Sequence, residues 1–549
     1  MTLSALGDSA VVLTLAGRVD AAMAARVHAL AAEIERQRPR GVLDVVPAFT
    51  SVAVFYELNQ IAGFDRLCEE LTRLGERADA VVVSDAATRI EIPVCYGNDF
   101  GPDLAAVASQ HALPVEQVIA LHAGAEYLVH AIGFAPGFPY LSGLPERLTT
   151  PRRATPRPSV PAGSVGIGGA QTGVYPLATP GGWNLIGRTP LRLFDPRRTP
   201  AALLRAGDRV VFRAITPEEF AARRHEQELT AVAPVRAETA VDAGIEVVRA
   251  GLFTTIQDLG RPGHRSRGVA QSGAADAFAL RVANTLVGNR EDAAGLELTL
   301  LGPELRFRRD TVVALGGAAF PGLPSWQPVR VSAGMEINFG HATQGCRGYL
   351  AIAGGIATAP VLGSRSTYVH AGFGGLRGEP LHNGDQLPVA PAGRELTGRW
   401  HIDERILPTY SPAPTLRVVR GAQADVFGAG LSARELKVTA RSDRMGLRLQ
   451  GEPLTWPARR ELVSSPVAPG TVQVPPDGHP IVLLADAQTI GGYPQIAHVI
   501  SVDLPLAAQL RPGDAVRLRE VTIAEAHELA LARERALAML REGIAQKIR

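Results

Sequence analysis

The chain has 549 residues, of which 46% are hydrophobic and 20% charged, and its formal net charge is +2. This length predicts about three to four domains, and the composition is that of an ordinary globular protein. The small net charge gives no reason to expect a nucleic-acid partner or an anionic membrane surface. No apolar run reaches the roughly 18 residues that a membrane-spanning helix needs, and the first residues lack the basic start of a signal peptide. We therefore expect a cytoplasmic protein.

Lysine, cysteine and histidine usage argues against several kinds of site. Only two of the 56 lysines and arginines are lysines, Lys437 and Lys547, so the chain has no P-loop GxxxxGK and no Met-Lys-Met biotin attachment site. Phosphates and carboxylates must be held by arginines, glycine-loop amides or helix N-termini. Cys68, Cys95 and Cys346 stand far apart without a CxxC pair, which argues against disulfides and zinc. The histidines show no HxH or HExxH spacing, and we predict no metal site.

The first 88 residues alternate between strand and helix patterns, which predicts a small α+β domain at 1–88. The predicted elements are strands at 8–15, 41–46 and 51–56 and helices at 20–37 and 64–75.

A different pattern follows at 89–225, where short apolar runs are punctuated by glycine and proline around two short helices after Asp103. This texture predicts a β-barrel. Within it, an apolar strand carries His130 and ends in the loop Gly133-Phe-Ala-Pro-Gly-Phe-Pro-Tyr140, whose backbone is fixed by proline and freed by glycine. Loops of this composition are typical of pocket walls.

The second half begins after a small, polar stretch at 226–244 that we predict to be a linker. Its predicted parts are a β-barrel at 245–410, which includes a helix at 276–287, a second β-barrel at 411–525, and a C-terminal helix at 526–549.

Internal repeats relate the three β-rich units. Each unit closes on a Gly-Asp pair, at Gly207-Asp208, Gly384-Asp385 and Gly513-Asp514. Further motifs recur in the same order: Pro161-Ala-Gly-Ser-Val is echoed by Ala468-Pro-Gly-Thr-Val, and Gln171-Thr by Gln488-Thr. The recurrence predicts three related barrels, in which the closing aspartates are structural caps of β-turns.

These motifs resemble two related protein families. Residues 1–225 resemble allophanate hydrolase subunit 1, the family of KipI and the 5-oxoprolinase B subunit, through IGFAPGFPYL, VPAGSV, QTGVYP and GGWNLIGRTP. Residues 245–525 resemble allophanate hydrolase subunit 2, the family of KipA and the 5-oxoprolinase C subunit, through GLFTTIQDLGRPG, QSGAAD, GSRSTY, SDRMG and DAQTIGGYP. The resemblance implies a natural fusion of the two subunits. It also implies a mainly β fold with an α+β N-terminal domain and cyclophilin-like barrels, one in the first half and two in the second.

Three functions are compatible with the resemblance. The first is the B and C component of an ATP-dependent 5-oxoprolinase, which opens 5-oxoproline to L-glutamate with a separate A subunit of the LamB/YcsF family. The second is the carboxyltransferase component of a urea-carboxylase-like biotin system, which requires a biotin carrier on another chain. The third is a non-catalytic KipI-type regulator of a histidine kinase. We favour the first, because fusing two subunits of one enzyme fixes their stoichiometry.

The first function implies ATP, with Mg²⁺ as its counter-ion, as the nucleotide, and 5-oxoproline as the small-molecule substrate. It also implies a higher assembly with the 5-oxoprolinase A subunit, without a nucleic acid or membrane partner. Phosphoryl transfer depends on positioning and charge neutralisation, which suits arginine. Glycine runs at 166–169 and 181–182 are candidate amide donors to an oxyanion.

The candidate site residues are polar side chains within these motifs, and we expect them to line a cleft between the halves. The candidate catalytic residues are His130, Asp258 and Arg261. The candidate substrate- or phosphate-binding residues are Arg153, Arg157, Ser164, Gln171, Thr172, Tyr175, Arg188, Gln271, Ser272, Arg365, Ser366, Gln488 and Thr489. Simpler roles compete for several of them: a core histidine for His130, a local ion pair for Asp258 with Arg261, and helix N-capping for Ser272.

Overall fold

The computed structural model of the chain describes residues 1–80, 88–230, 243–393, 400, 402–431, 434–456 and 462–547. Its helices are α1 (Ala21–Gln37), α2 (Phe64–Ala80), α3 (Leu104–Gln110), α4 (Val115–Ala123), α5 (Pro217–Thr230), α6 (Ala277–Leu286), α7 (Leu504–Ala508) and α8 (Ile523–Lys547). No helix within these ranges is long and apolar enough to cross a membrane. Helix α5 occupies the start of the predicted linker, whose residues 231–242 lie outside the described residues.

A four-stranded antiparallel sheet with two helices forms the N-terminal part. Its strands, in the order β1-β2-β4-β3, are β1 (Thr2–Ala5), β2 (Ala10–Thr14), β3 (Val42–Pro47) and β4 (Ser51–Tyr56). Val54 on one face of the sheet packs in the core with α1 and α2, whereas Phe55 on the other face packs toward the first barrel. Asp20 caps α1 by accepting a hydrogen bond from Met23 N at 2.8 Å. The predicted α+β arrangement is confirmed, with β1 as an additional strand.

A closed seven-stranded barrel, which we call the first barrel, follows. Its strands are β5 (Arg89–Tyr96), β6 (Glu126–Ile132), β7 (Pro139–Ser142), β9 (Ser164–Gly168), β10 (Gln171–Val174), β12 (Asn184–Arg188) and β13 (Arg209–Ala214). Outside the barrel, β8 (Arg157–Val160) and β11 (Thr179–Gly181) form a two-stranded flap. Strand β13 runs parallel to β5, and the other pairings are antiparallel.

The next unit, which we call the middle unit, consists of two sheets around one core. One sheet has the order β20-β17-β14-β22 and contains β14 (Ala243–Arg249), β17 (Glu304–Phe307), β20 (Glu336–Asn338) and β22 (Gln386–Pro388). The other has the order β15-β16-β21-β18-β19 and contains β15 (Phe253–Gln257), β16 (Gly295–Thr299), β18 (Thr311–Ala319), β19 (Pro328–Val331) and β21 (Gln344–Ile352). The sequence predicted a barrel here. The difference arises because β22 pairs antiparallel with the first strand of its unit, and the strands divide between two sheets.

The last barrel is again closed. Its strands are β23 (Thr415–Arg420), β24 (Leu436–Val438), β25 (Gly446–Gln450), β27 (Thr471–Gln473), β28 (Ile481–Leu483), β30 (Gln495–Val499) and β31 (Ala515–Glu520), with a flap of β26 (Ser465–Pro466) and β29 (Ile490–Gly491). The order of pairing matches the first barrel strand for strand. Even the register agrees, because Ser164 lies opposite Arg188 in one barrel and Thr471 opposite His498 in the other. The predicted relation between these two barrels is confirmed.

The three Gly-Asp pairs make the same turn. The Oδ2 atoms of Asp208, Asp385 and Asp514 each accept a hydrogen bond from a backbone N–H three residues earlier, at 2.8–2.9 Å. The preceding glycines have φ between 87° and 95°, which favours glycine. The predicted structural role of these aspartates is therefore confirmed.

The two halves of the chain share a polar and an apolar junction. Asp44 accepts hydrogen bonds from Gly263 N at 2.8 Å and Arg265 N at 3.1 Å, and the Arg265 guanidinium lies over the Phe55 ring at 4.3 Å. Nearby, Ile490 of the last barrel packs in one core with Phe138 of the first barrel. Much of the loop predicted to be pocket wall is therefore buried in this junction.

Candidate functional site

Four of the predicted residues, Asp258, Arg261, Ser272 and Ser366, come together at one edge of the middle unit. Asp258 follows β15, and its carboxylate accepts hydrogen bonds from Ser366 Oγ, from Ser364 Oγ at 2.6 Å, and from two backbone N–H groups. One of these backbone donors is Arg365 N at 2.6 Å. These four donors, three of them at Oδ1, tie the 364–366 loop to the carboxylate.

Arg261 is the largest fully buried side chain of this cluster, with 1% of its surface exposed. Its Nη2 donates to the Ser366 carbonyl oxygen, and the guanidinium lies over the Phe373 ring at 5.1 Å. Nε and Nη1 have no hydrogen-bond partner among the described residues. Burial lowers the pKa of Arg261, and nearby Asp258 and Asp486 oppose that shift. The predicted local ion pair with Asp258 is replaced by the bond to Ser366, which leaves two donors available.

Ser272 joins the cluster to the last barrel. Its Oγ donates to Asp486 Oδ1 at 2.7 Å, and its φ of 57° is unusual for serine. Capping of α6 is performed by Asp276, which accepts from Ala279 N at 2.9 Å, so the N-capping role considered for Ser272 is wrong.

Two residues that the sequence did not single out lie beside Ser272. Arg444 donates from Nε to Asp486 Oδ2 at 2.9 Å and from Nη2 to Oδ1 at 3.1 Å, and it also contacts Glu297. Burial acts to lower the pKa of Arg444, but the two carboxylates raise it by more. Arg444 lies in SDRMG and Asp486 in DAQTIGGYP, so the family motifs were the available signal.

His130 lies apart from this cluster, between the first barrel and the N-terminal sheet. Its ring stacks on Phe49 with centroids 5.1 Å apart, and both ring nitrogens are buried without a hydrogen-bond partner among the described residues. Burial, together with His28, lowers its pKa to about 4, so the imidazole is neutral at pH 7. His130 therefore occupies a core position, but neither ring nitrogen forms a hydrogen bond with the described residues.

Thr172 points into the first barrel. His122, which was not predicted, lies with Nε2 2.9 Å from Thr172 Oγ1 and Nδ1 2.8 Å from Tyr96 OH, and Thr172 donates onward to Gly166 O at 3.0 Å. Because Thr172 donates to the carbonyl, His122 carries its proton on Nε2 and accepts from Tyr96. This chain of hydrogen bonds serves the barrel core.

The predicted arginines outside the cluster have protein partners. Arg153 and Arg157 both donate to Asp103 Oδ1, at 3.0 and 2.8 Å, Arg188 Nε donates to Ala162 O at 2.8 Å, and Arg365 Nε donates to Thr358 O at 2.8 Å. Arg157 Nη1 is also buried without a partner among the described residues. The Arg157 charge is balanced by Asp103, whereas Arg261 forms no ion pair in the described part of the chain.

Several other candidates form the scaffold of the first barrel. Gly163 N donates to Tyr175 O at 2.7 Å and Tyr175 N to Ser164 O at 2.9 Å, which closes a loop against β9. Gln171 lies opposite Gly168 at the start of β10. The expectation that the 166–169 glycines offer amides to an oxyanion is wrong for Gly166, which pairs with strands on both sides.

The remaining candidates lie in the second half. Gln271 accepts from Arg265 Nη2 at 2.7 Å, and Gln488 Nε2 donates to Gln473 Oε1 at 3.3 Å. Thr489 Oγ1 is buried without a partner among the described residues. Within those residues, no group of three or more histidine, cysteine or acidic side chains is arranged to hold a metal ion.

Comparison with known proteins places the chain in a family. Residues 1–204 match the model of the carboxyltransferase domain, subdomain C and D, and residues 267–520 match that of subdomain A and B. The 5-oxoprolinase B subunit of Bacillus subtilis is 46% identical over 229 residues, covering 40% of this chain and 95% of that protein. The 5-oxoprolinase C subunit of Escherichia coli is 38% identical over 292 residues, covering 51% of this chain and 93% of that protein. The chain belongs to the family of the B and C subunits of 5-oxoprolinase.

It carries the B-type and the C-type portions in one polypeptide, and the crystal structure of TTHA0988 likewise spans nearly the whole chain. That structure is 35% identical, with a TM-score of 0.80, and covers 93% of this chain and 99% of its own. In the B–C chain, the Arg261 cluster belongs to the C-type portion. The B-type portion contributes Phe194, whose ring lies 5.8 Å from that of Phe373.

Proposed function

We propose that the chain is the B and C component of an ATP-dependent 5-oxoprolinase. It would act on 5-oxoproline together with a separate A subunit of the LamB/YcsF type. The relatives named as the B and C subunits of 5-oxoprolinase support this proposal, since each is matched over more than nine-tenths of its length. The observation that carries it is the buried Arg261 guanidinium, whose Nε and Nη1 lack partners among the described residues.

The chemistry of the proposed reaction requires an anion site of this kind. A lactam is stabilised by resonance, so we infer that ATP transfers its γ-phosphoryl group to the lactam carbonyl oxygen and ADP leaves. Water then adds at the activated carbon, the C–N bond breaks, and phosphate and L-glutamate are released. Arg261 offers a positive charge and two unpartnered N–H groups, on Nε and Nη1, which suit the oxygens of a carboxylate or a phosphoryl group.

The neighbouring residues then act as positioning groups. Asp258 holds the 364–366 loop, and the Ser366 carbonyl fixes one Nη of Arg261. The Phe373 ring beneath the guanidinium keeps water from that side. We assign Asp258 a positioning role, in place of the catalytic role expected from sequence, because its carboxylate accepts four hydrogen bonds from the loops around Arg261.

A coupled assay tests the proposal. The full chain is incubated with 5-oxoproline, ATP and a purified A subunit of the LamB/YcsF type, and glutamate and ADP are measured together. We expect both products in equal amounts and their loss in Arg261→Gln. Glutamate release without ADP would contradict the phosphorylation step.

The carboxyltransferase description of both family models keeps the urea-carboxylase-like function as the second candidate. The chain itself has no Met-Lys-Met motif, so a biotinylated carrier must be supplied. Turnover of urea with such a carrier, and none of 5-oxoproline, would replace our first proposal.

The three free cysteines are consistent with the cytoplasm, which we propose as the compartment.

A further inference from the structure

A second group of polar side chains lies in the last barrel, beside its flap. Gln473, at the end of β27, and Thr489, just before β29, are each 1% exposed. Gln473 Nε2 and Thr489 Oγ1 have no hydrogen-bond partner among the described residues. Buried donors and acceptors are nearly always paired in folded proteins, so two unpaired groups in one place indicate a ligand.

The flap brings the two carboxamides together, and Thr489 follows Gln488 directly in the chain. A Cβ at Gly491 would stand 2.7 Å from Gln473 Nε2 and 3.5 Å from Gln488 Nε2. Glycine at this position therefore lets both carboxamides lie against the flap.

One polar atom of the Gln473 carboxamide lacks a hydrogen-bond partner whichever way the amide is oriented. Gln488 Nε2 donates to Gln473 Oε1 at 3.3 Å, which uses one of the two polar atoms. Rotating both amides by 180° exchanges donor and acceptor and leaves Gln473 Oε1 without a partner instead of Nε2. In either arrangement, one carboxamide atom and one hydroxyl remain available.

The hydrogen-bonding groups of these three side chains indicate which kind of ligand they can bind. Gln473, Gln488 and Thr489 are uncharged, and together they offer both donors and acceptors. They suit a neutral amide, which itself has one carbonyl acceptor and one N–H donor, better than a phosphate. The adjacent turn reaches the surface, because Gly492 is exposed and Tyr493 is 44% exposed.

We propose that Gln473, Gln488 and Thr489 form a subsite of the last barrel that binds an uncharged amide, either a lactam or a urea-type group. This inference deepens the proposed function, since it assigns the lactam end of the substrate to the last barrel. Of the substrate- or phosphate-binding roles expected from sequence for Gln488 and Thr489, it selects substrate binding.

Binding of 2-pyrrolidinone, a lactam without a carboxylate, tests the subsite separately from catalysis. Ligand-detected NMR titrations of the full chain are run with 2-pyrrolidinone and with urea, without ATP. We expect binding to weaken roughly tenfold in Thr489→Val and in Gln473→Leu, since each removes one hydrogen bond to the ligand. The first variant keeps the side-chain shape.

Gln495→Leu is the matched control. Gln495 is a buried glutamine of the same barrel, and its Nε2 already donates to Ser465 Oγ at 2.9 Å and Pro466 O at 3.0 Å. We expect this variant to lower the melting temperature and leave 2-pyrrolidinone binding unchanged. Equal binding in the wild type, Thr489→Val and Gln473→Leu would overturn the subsite, as would an equal loss in Gln495→Leu. Lactam binding without 5-oxoproline turnover would keep the subsite and refute the proposed function, and preference for urea over 2-pyrrolidinone would identify the urea-type ligand.

Discussion

Arg261 and Arg444 are both buried arginines of one network, and the structure predicts very different effects on stability when each is replaced by methionine. Arg444 is satisfied by Asp486, Glu297 and Gly273 O, whereas Arg261 Nε and Nη1 have no partner among the described residues. A buried donor without a partner costs about 1–3 kcal/mol. Methionine is similar in length to arginine and carries no donors.

The expected magnitudes follow from these contacts. Arg261→Met removes two unsatisfied donors, worth about 2–6 kcal/mol. It also loses the contact with Phe373, worth about 0.5–2 kcal/mol, and the hydrogen bond to Ser366 O, worth about 1.5–3 kcal/mol. These contributions nearly cancel, so the free energy of unfolding should change little. Arg444→Met strands two buried carboxylates, and breaking a buried ion pair in this way costs about 3–5 kcal/mol.

Activity should respond differently from stability. If Arg261 holds the anionic group with charge-assisted hydrogen bonds of about 1.5–3 kcal/mol each, its loss lowers kcat/KM by at least a hundredfold, at about 1.4 kcal/mol per tenfold. The assay combines melting temperature with the rate of glutamate formation for both variants. A fall in melting temperature for Arg261→Met as large as that for Arg444→Met would show that Arg261 is structural and would refute the reasoning.

Three further predictions concern the framework of the site. Burial lowers the pKa of His498 from 6.5 to about 4, so the neutral side chain stabilises the fold above pH 6.5. That contribution of about 3 kcal/mol is lost as the pH falls from 6.5 to 4. The stability difference between the wild type and His498→Gln, measured by urea unfolding, should shrink by the same amount. Thr172→Val should lower the melting temperature and leave KM unchanged, because it strands His122 Nε2 and Gly166 O inside the first barrel; a change in KM alone would restore the ligand-binding role. Asp44→Ala removes two hydrogen bonds across the junction of the halves, about 1–3 kcal/mol in total, and should increase proteolysis between the halves without changing the secondary structure seen by circular dichroism.

The internal repeat predicted the two closed barrels because their equivalence extends along whole strands, as the paired registers of Ser164 with Arg188 and Thr471 with His498 show. It predicted the middle unit less well. A Gly-Asp turn is a local structure, stabilised by hydrogen bonds within a few residues, and the same turn leads into a parallel strand at Asp208 and an antiparallel one at Asp385. Local motifs therefore indicate where a strand begins, but the direction of its partner is decided by tertiary packing.

In the candidate site too, local motifs were predicted from the sequence and long-range contacts were not. Asp258 and Arg261 are close in sequence, and Ser366 joins them through a motif that the family resemblance identified. Arg444 was missed because its carboxylate partners, Glu297 and Asp486, lie 147 and 42 residues away along the chain. An arginine-rich sequence gives no indication of which guanidinium is buried and which of its donors are used.

The position of the cluster bears on why the two portions occur in one chain. Among the described residues, the hydrogen bonds that form the Arg261 cluster come from the C-type portion. The B-type portion adds Phe194 against Phe373, the ring that lies beneath the guanidinium. It also adds Asp44, which holds the backbone at Gly263, two residues from Arg261. Fusion raises the effective concentration of these contacts, and it therefore favours the closed, water-poor setting in which a buried arginine binds an anion most strongly.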